Sequence, residues 1–163
     1  MITILALMFE RFRDDNHPSA LDSRNDLAMS HLAAGRTAEA IRLYERRLAD
    51  RERLLGAHHP NTLRSRNNLA MSYRAAGRTA EAISLLKRTL ADSVRVLGND
   101  HPDTLTLRNN LAAAYQAAGR TAEAIRLYER TLADAERVLG ANHPDTKAAR
   151  EALAALNGEP SHT

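Results

Sequence analysis

The chain has 163 residues, of which 44% are hydrophobic and 26% charged, which is the composition of a folded protein with enough apolar side chains for a packed interior. It contains no cysteine, which excludes disulfides and thiolate metal sites and fits a reducing compartment, so we expect a cytoplasmic location. The 23 basic and 20 acidic residues alternate along the chain and only 4% of the residues are aromatic, a pattern that predicts a mixed surface and no nucleic-acid binding.

Residues 1–16 begin with a largely apolar stretch that is about half as long as a membrane span. The stretch has neither the positively charged start nor the small-residue cleavage site of a secretory signal, so we expect no membrane association. The triplet Glu10–Phe12 lies as far before His17 as a similar triplet lies before His143. We therefore predict an unpaired second helix of a repeat, whose segment Met1–Phe12 offers a route to self-association as a homo-oligomer.

A His-Pro pair then recurs every 42 residues, and the amino-acid sequence between successive pairs is nearly the same. The pairs begin at His17, His59, His101 and His143. A period of this length is typical of a solenoid of stacked helical units. The pattern predicts three units followed by a capping helix and a disordered tail, over residues 17–58, 59–100, 101–142, 143–157 and 158–163.

Each unit is predicted to contain two helices, A and B. Helix A begins at the His-Pro pair, because proline is favoured at the first helical position and the residue before it is excluded from helical geometry. Helix B begins after a threonine N-cap, and both helices end at glycines that adopt a positive φ. The threonines are Thr37, Thr79 and Thr121, and the glycines that follow helix A are Gly35, Gly77 and Gly119. With the flanking segments this gives an all-α chain of about eight antiparallel helices.

The order of small and large residues identifies the type of helical repeat. The second unit contains Ala70, Tyr73, Gly77, Ala82 and Leu86. Equivalent positions hold Ala112, Tyr115, Gly119, Ala124 and Tyr128, and Ala28, His31, Gly35, Ala40 and Tyr44. This spacing resembles the tetratricopeptide repeat signature, in which small residues let the two helices approach closely. The 42-residue unit, its HPDT opening and its RNNLA core look most like the kinesin light chain type, which is also common in bacteria. The resemblance implies a right-handed superhelix and a bacterial origin.

The resemblance also implies a non-catalytic scaffold that binds a protein or peptide in a concave groove lined by the A helices. The expected partner-binding residues are Asn25, Asp26, Met29, Arg64, Asn67, Asn68, Met71, Arg74, Thr106, Asn109, Asn110 and Gln116. An asparagine side chain carries both a donor and an acceptor, so it can bond to the backbone of an extended peptide. An alternative is that the asparagines bond to the adjacent repeat as a ladder. Two columns that differ between units are expected to select the ligand: Asp22, Arg64 and Thr106, and Leu32, Arg74 and Gln116.

Other chemistry has little support in the sequence. We find no phosphate-binding glycine loop, zinc-binding helix pair or nucleophile elbow, so we expect no enzyme activity, no cofactor and no metal site. The column Arg24, Arg66 and Arg108 is a candidate anion site, but pairing with glutamates such as Glu39 and Glu81 is the preferred interpretation. The alternative function is a sensor or assembly arm of a larger regulatory protein, or a structural module that self-associates through its N-terminal helix.

Overall fold

The structure is a computed structural model and describes residue 31 and residues 33–158. In this part of the chain all regular secondary structure is helical, in six α-helices. They are α1 (Thr37–Leu55), α2 (Pro60–Ala75), α3 (Thr79–Leu97), α4 (Pro102–Ala117), α5 (Thr121–Val138) and α6 (Pro144–Asn157). The predicted number of about eight also counted the N-terminal helix and helix A of the first unit. The N-terminal helix and the self-association segment lie outside the described residues, as does all of helix A of the first unit except its end, where residues 31 and 33 are helical, so these remain predictions.

The helices form two layers. Helices α2, α4 and α6 are A helices, and each packs on the B helices beside it in the chain, which are α1, α3 and α5. The A helices also contact one another along the stack, α2 with α4 and α4 with α6. The A layer is therefore a continuous surface made of successive repeats.

The His-Pro pairs begin the A helices as predicted. His59, His101 and His143 are the N-cap residues, and a proline occupies the start of each helix. In each case Nδ1 of the histidine accepts a hydrogen bond from the backbone N–H two residues later, at 3.1, 3.1 and 3.2 Å. These side chains satisfy one of the backbone donors that a helix N-terminus leaves without a helical partner.

The predicted threonine caps of the B helices are wrong by one residue. The N-cap positions hold arginines, such as Arg78, whose side chains make no capping hydrogen bond. The preceding turn sets this boundary: the N–H of Arg78 donates to the carbonyl of Tyr73 at 2.8 Å, and Gly77, with φ +75°, donates to the carbonyl of Arg74 at 3.0 Å. This closed turn places the Arg78 carbonyl where it accepts the first helical bond, so Thr79 is already helical.

Small residues lie where the two helices of a repeat meet. Ala70 and Ala82 in one repeat, and Ala112 and Ala124 in the next, are completely buried. Large side chains such as Tyr128, which is 4% exposed, fill the space beside them. The packing follows the predicted signature, because alanine at the crossing permits the close approach that larger side chains would prevent.

Candidate partner-binding face

The predicted partner-binding residues of α2 and α4 lie along one side of the A layer. Arg64 and Gln116 are exposed, and six others are partly exposed. These six are Asn67, Asn68, Met71, Arg74, Thr106 and Asn110. We call the eight residues together the A face. The remaining predictions differ: Asn109 is buried, and Asn25, Asp26 and Met29 lie outside the described residues.

Asn67 and Asn110 form a bond between adjacent repeats. Nδ2 of Asn110 donates to Oδ1 of Asn67 at 2.9 Å. Among the described residues neither side chain makes another hydrogen bond, so the Asn67 amide keeps its N–H donors and the Asn110 amide keeps its carbonyl acceptor. The pair therefore belongs to the ladder, yet it still presents one donor group and one acceptor on the A face.

Asn109 is an internal residue. Its side chain donates through Nδ2 to the backbone carbonyl of Asp145 at 2.9 Å, and the residue is 8% exposed. Its buried Oδ1 has no hydrogen-bond partner within the described residues. The structure thus places Asn109 in the contact between α4 and α6, where the ladder interpretation applies.

The variable column at Arg64 and Thr106 contacts aspartates that the sequence analysis did not include. Arg64 Nε lies 3.6 Å from Oδ2 of Asp103, and Thr106 Oγ1 donates to Oδ2 of Asp145 at 2.5 Å. Each aspartate is the third residue of an HPDT motif at the start of the next A helix, so this motif is the feature of the sequence from which they could have been identified. The Arg64 side chain remains 64% exposed and is free to meet a ligand.

Arg74 is the second cation of the A face. It is partly buried and forms no ion pair with any described carboxylate. Burial raises the pKa of the Tyr128 phenol, and the Arg74 charge partly offsets this rise, so the two side chains lie near each other. A guanidinium placed in this way can bind a carboxylate or a carbonyl oxygen of a ligand.

Arg66 and Arg108, the members of the arginine column that the structure describes, are structural, and their partners differ from those predicted; Arg24 lies outside the described residues. Arg66 donates to Glu52 at 2.8 Å and to Asp92 at 3.0 Å, and its side chain is 10% exposed. Arg108 donates to Asp134 and to Asn99, both at 2.6 Å, and its side chain is 3% exposed.

The pairing with glutamates at the start of helix B is therefore wrong. Glu81 pairs with Arg78 at 2.6 Å instead. The reason is position: Glu39 and Glu81 begin their B helices, whereas Arg66 and Arg108 lie beside residues near the C-terminal ends of B helices.

Two further observations limit the chemistry of the described residues. No group of three or more His, Asp or Glu side chains comes together there in an arrangement suited to a metal ion. None of the six helices combines the length and apolar character needed to cross a bilayer. What this part of the chain offers is an extended polar face with a few apolar and cationic contacts.

Comparison with protein families gave one match. The family model described as tetratricopeptide repeat matches residues 20–61, 62–103 and 104–145, in three consecutive units of 42 residues. No match was found among curated proteins.

Solved structures with a similar fold include kinesin light chain-like repeat proteins. A crystal structure from Podosopora anserina, described as a kinesin light chain with nearly identical TPR-like repeats, is 35% identical with a TM-score of 0.79. The alignment covers 88% of this chain and 70% of that chain. BtubC (BKLC) from P. vanneervenii is 21% identical with a TM-score of 0.76, over 91% of this chain and 61% of that chain, and shows likeness of fold alone.

Proposed function

Because the chain belongs to the tetratricopeptide repeat family, we propose that it is a non-catalytic scaffold whose A face binds an extended segment of a partner protein. The family match and the structural likeness support a protein-interaction role in general. The location of binding on the A face is the specific part of the proposal. It requires that the curvature of the stack makes the A layer concave, as direct contacts between successive A helices favour.

The Asn67–Asn110 pair is the observation that carries the proposal. An extended chain presents alternating N–H and C=O groups, and the pair presents the matching acceptor and donor. Because the bond of 2.9 Å between the two amides already orients both side chains, less side-chain entropy is lost when a ligand binds. The pair can thus hold a backbone without reading the side chains of the ligand.

Other residues of the A face would select the side chains. Met71 is a flexible apolar contact, and it lies three residues before Arg74 on α2. Gln116 occupies the Arg74 position in the next repeat. At this position α2 therefore carries a positive charge and α4 a neutral amide. We expect a ligand with an apolar residue beside Met71 and an acidic or carbonyl group near Arg74.

The test begins with a peptide selected from a displayed random library on the purified chain. We expect the double substitution Asn67→Ala with Asn110→Ala to weaken its binding about 10-fold or more in calorimetry, since each lost hydrogen bond contributes about 1 kcal/mol. The helical circular-dichroism signal should not change. Asn142→Ala with Asn157→Ala, which removes two exposed asparagines outside the A face, is the matched control. Unchanged affinity in the first variant would defeat the proposal.

A further inference from the structure

The outer surface of the B layer carries one exposed arginine per repeat at the same helical position. These residues are Arg46 on α1, Arg88 on α3 and Arg130 on α5, each 42 residues after the last. None of the three makes an ion pair or a hydrogen bond with any residue that the structure describes. We call this column the outer arginine column. It is a row of cations that have no partner in the part of the chain that the structure describes.

The described carboxylates explain how a chain of nearly balanced charge acquires such a row. Many of them are bonded to arginines of the neighbouring A helix or of their own helix. Asp92 bonds to Arg66 and Arg95, Asp134 bonds to Arg108 and Arg137, and Glu136 bonds to Arg150. These carboxylates are therefore neutralised by other arginines, and the outer arginine column is left without a paired carboxylate among the described residues.

The residues around the column strengthen this character at its centre. Lys87 lies beside Arg88, and both are exposed. The equivalents of Lys87 are Glu45, whose Oε1 accepts a hydrogen bond from the Tyr73 hydroxyl at 3.1 Å, and the exposed Glu129. The middle repeat thus has two adjacent cations at these two positions, where the first and third repeats each have an arginine and a glutamate.

A track of small residues runs beside the column. Three residues further along each B helix lie Ala49, Ala91 and Ala133, all exposed. Four residues beyond these lies a second arginine row, Arg53, Arg95 and Arg137, which is paired with aspartates. Since alanine side chains are short, a bound chain can approach the helices between the two arginine rows.

We propose that the outer arginine column and its alanine track bind an acidic segment of a partner protein that crosses the three B helices. Neighbouring helices are separated by at least about 10 Å. An extended chain rises about 3.3 Å per residue, so about three or four residues of the segment would pass from one arginine to the next. A segment with an Asp or Glu in each such interval would place a carboxylate at every arginine.

The same geometry argues against nucleic acid as the occupant. A nucleic acid strand carries a phosphate about every 3.4 Å, far more densely than one arginine per helix. Single-strand binding also relies on aromatic platforms, whereas Tyr44 and Tyr128 of the B helices are buried. A protein segment with spaced carboxylates matches the spacing and chemistry of the surface better.

The test uses fluorescence anisotropy at low salt with a fluorescein-labelled peptide of about twelve residues, in which every third residue is a glutamate and the others are serine and glycine. The triple variant Arg46→Gln, Arg88→Gln and Arg130→Gln is expected to bind at least about 5-fold more weakly than the natural chain. The control removes the same number of charges from the N-cap residues of the B helices, with Arg36→Gln, Arg78→Gln and Arg120→Gln. The control variant should lose less than about 2-fold in affinity for the peptide. Added salt should weaken the binding of the peptide to the natural chain.

Several results would overturn the proposal. Equal losses in the two triple variants would show a response to net charge alone, and no binding by the natural chain at low salt would remove the site. Tighter binding of a 15-nucleotide oligothymidine than of the glutamate peptide would assign the surface to nucleic acid. Loss of peptide binding on Asn67→Ala with Asn110→Ala would move the site to the A face. If the triple variant loses its helical signal, Arg88→Gln alone replaces it, with Arg78→Gln as its control.

Discussion

Two junctions between successive repeats have nearly the same sequence but differ in how completely their buried polar groups are bonded. Where α3 meets α4, the hydroxyls of Ser93 and Thr104, both fully buried, share a hydrogen bond of 2.7 Å. Where α5 meets α6, Ala135 takes the place of Ser93. The fully buried Thr146 hydroxyl there has no partner among the described residues. The presence or absence of the Ser93 hydroxyl therefore decides whether the buried threonine hydroxyl of the junction is hydrogen-bonded.

Equivalent arginines of α4 and α6 also differ in burial. The Arg108 side chain of α4, which bonds to Asn99 in the turn before α4 and to Asp134 of α5, is 3% exposed. The equivalent Arg150 of α6 is 45% exposed and, among the described residues, bonds to the exposed Glu136. Desolvated ion pairs respond strongly when one partner is removed, and exposed pairs contribute little. Copies that share a fold therefore need not share its energetics, and we expect the α5–α6 junction to be the weaker of the two.

The largest effect should come from removing the buried arginine. Arg108→Ala would remove the buried bonds to Asp134 and Asn99 and leave Asp134 with the exposed Arg137, and we expect a loss of about 2–3 kcal/mol in the free energy of unfolding. Arg150→Ala, the matched change in α6, should cost less than about 1 kcal/mol. Urea denaturation followed by circular dichroism measures both. Equal losses would contradict the expected effect of burial.

A smaller effect should follow from exchanging the hydroxyl between the junctions. Ser93→Ala would leave the Thr104 hydroxyl buried without a partner, as Thr146 is now, at a cost of about 1–2 kcal/mol. Ala135→Ser should restore a bond to Thr146 and increase stability by about 0.5–1 kcal/mol. The same denaturation experiment compares both variants with the natural chain. A destabilising Ala135→Ser would show that the α5–α6 junction has no room for the hydroxyl.

The smallest effect concerns pH at the junction of α2 and α3. Burial raises the pKa of Asp92, but the hydrogen bond from Arg95 and the charges of His58, Arg66 and Arg95 lower it further, so the net pKa lies below its usual value. A folded-state pKa below the unfolded value of about 3.9 means that ionised Asp92 stabilises the fold above that pH. The stabilisation is lost as the pH falls through the folded-state pKa.

The substitution Asp92→Asn tests whether ionised Asp92 stabilises the fold. The denaturation midpoint of the natural chain should fall as the pH drops below about 4, and the midpoint of the variant, although lower at pH 7, should fall less over the same range. Parallel curves for the two proteins would show that Asp92 contributes nothing to acid sensitivity.

Local chemistry explains which helix boundaries the sequence predicts. The starts of the A helices follow from the His-Pro pair itself, because the constraint on φ and the capping nitrogen lie within three residues. The starts of the B helices depend on how the turn at Gly77 and Arg78 closes, which a threonine in the sequence does not reveal. The prediction was therefore one residue late there.

The same distinction applies to the candidate site. The 42-residue period predicts which positions of α2 and α4 share a face, since equivalent residues stack. It does not predict partners such as Glu52 and Asp92, which lie 14 and 26 residues from Arg66, because those contacts depend on how the helices are rotated against each other. For Asn109 the rotation is enough to bury a side chain that the pattern placed on the A face.

The central proposal, that the A face holds an extended segment, is tested most directly by nuclear magnetic resonance on ¹⁵N-labelled protein. A selected peptide without acidic residues is titrated in, and the side-chain amide signals of the asparagines and glutamines are followed. The account predicts the largest shifts for Asn67, Asn110 and Gln116, with little change for Asn99 and Asn142. Shifts concentrated on the B helices, with Asn67 and Asn110 unchanged at saturation, would contradict it.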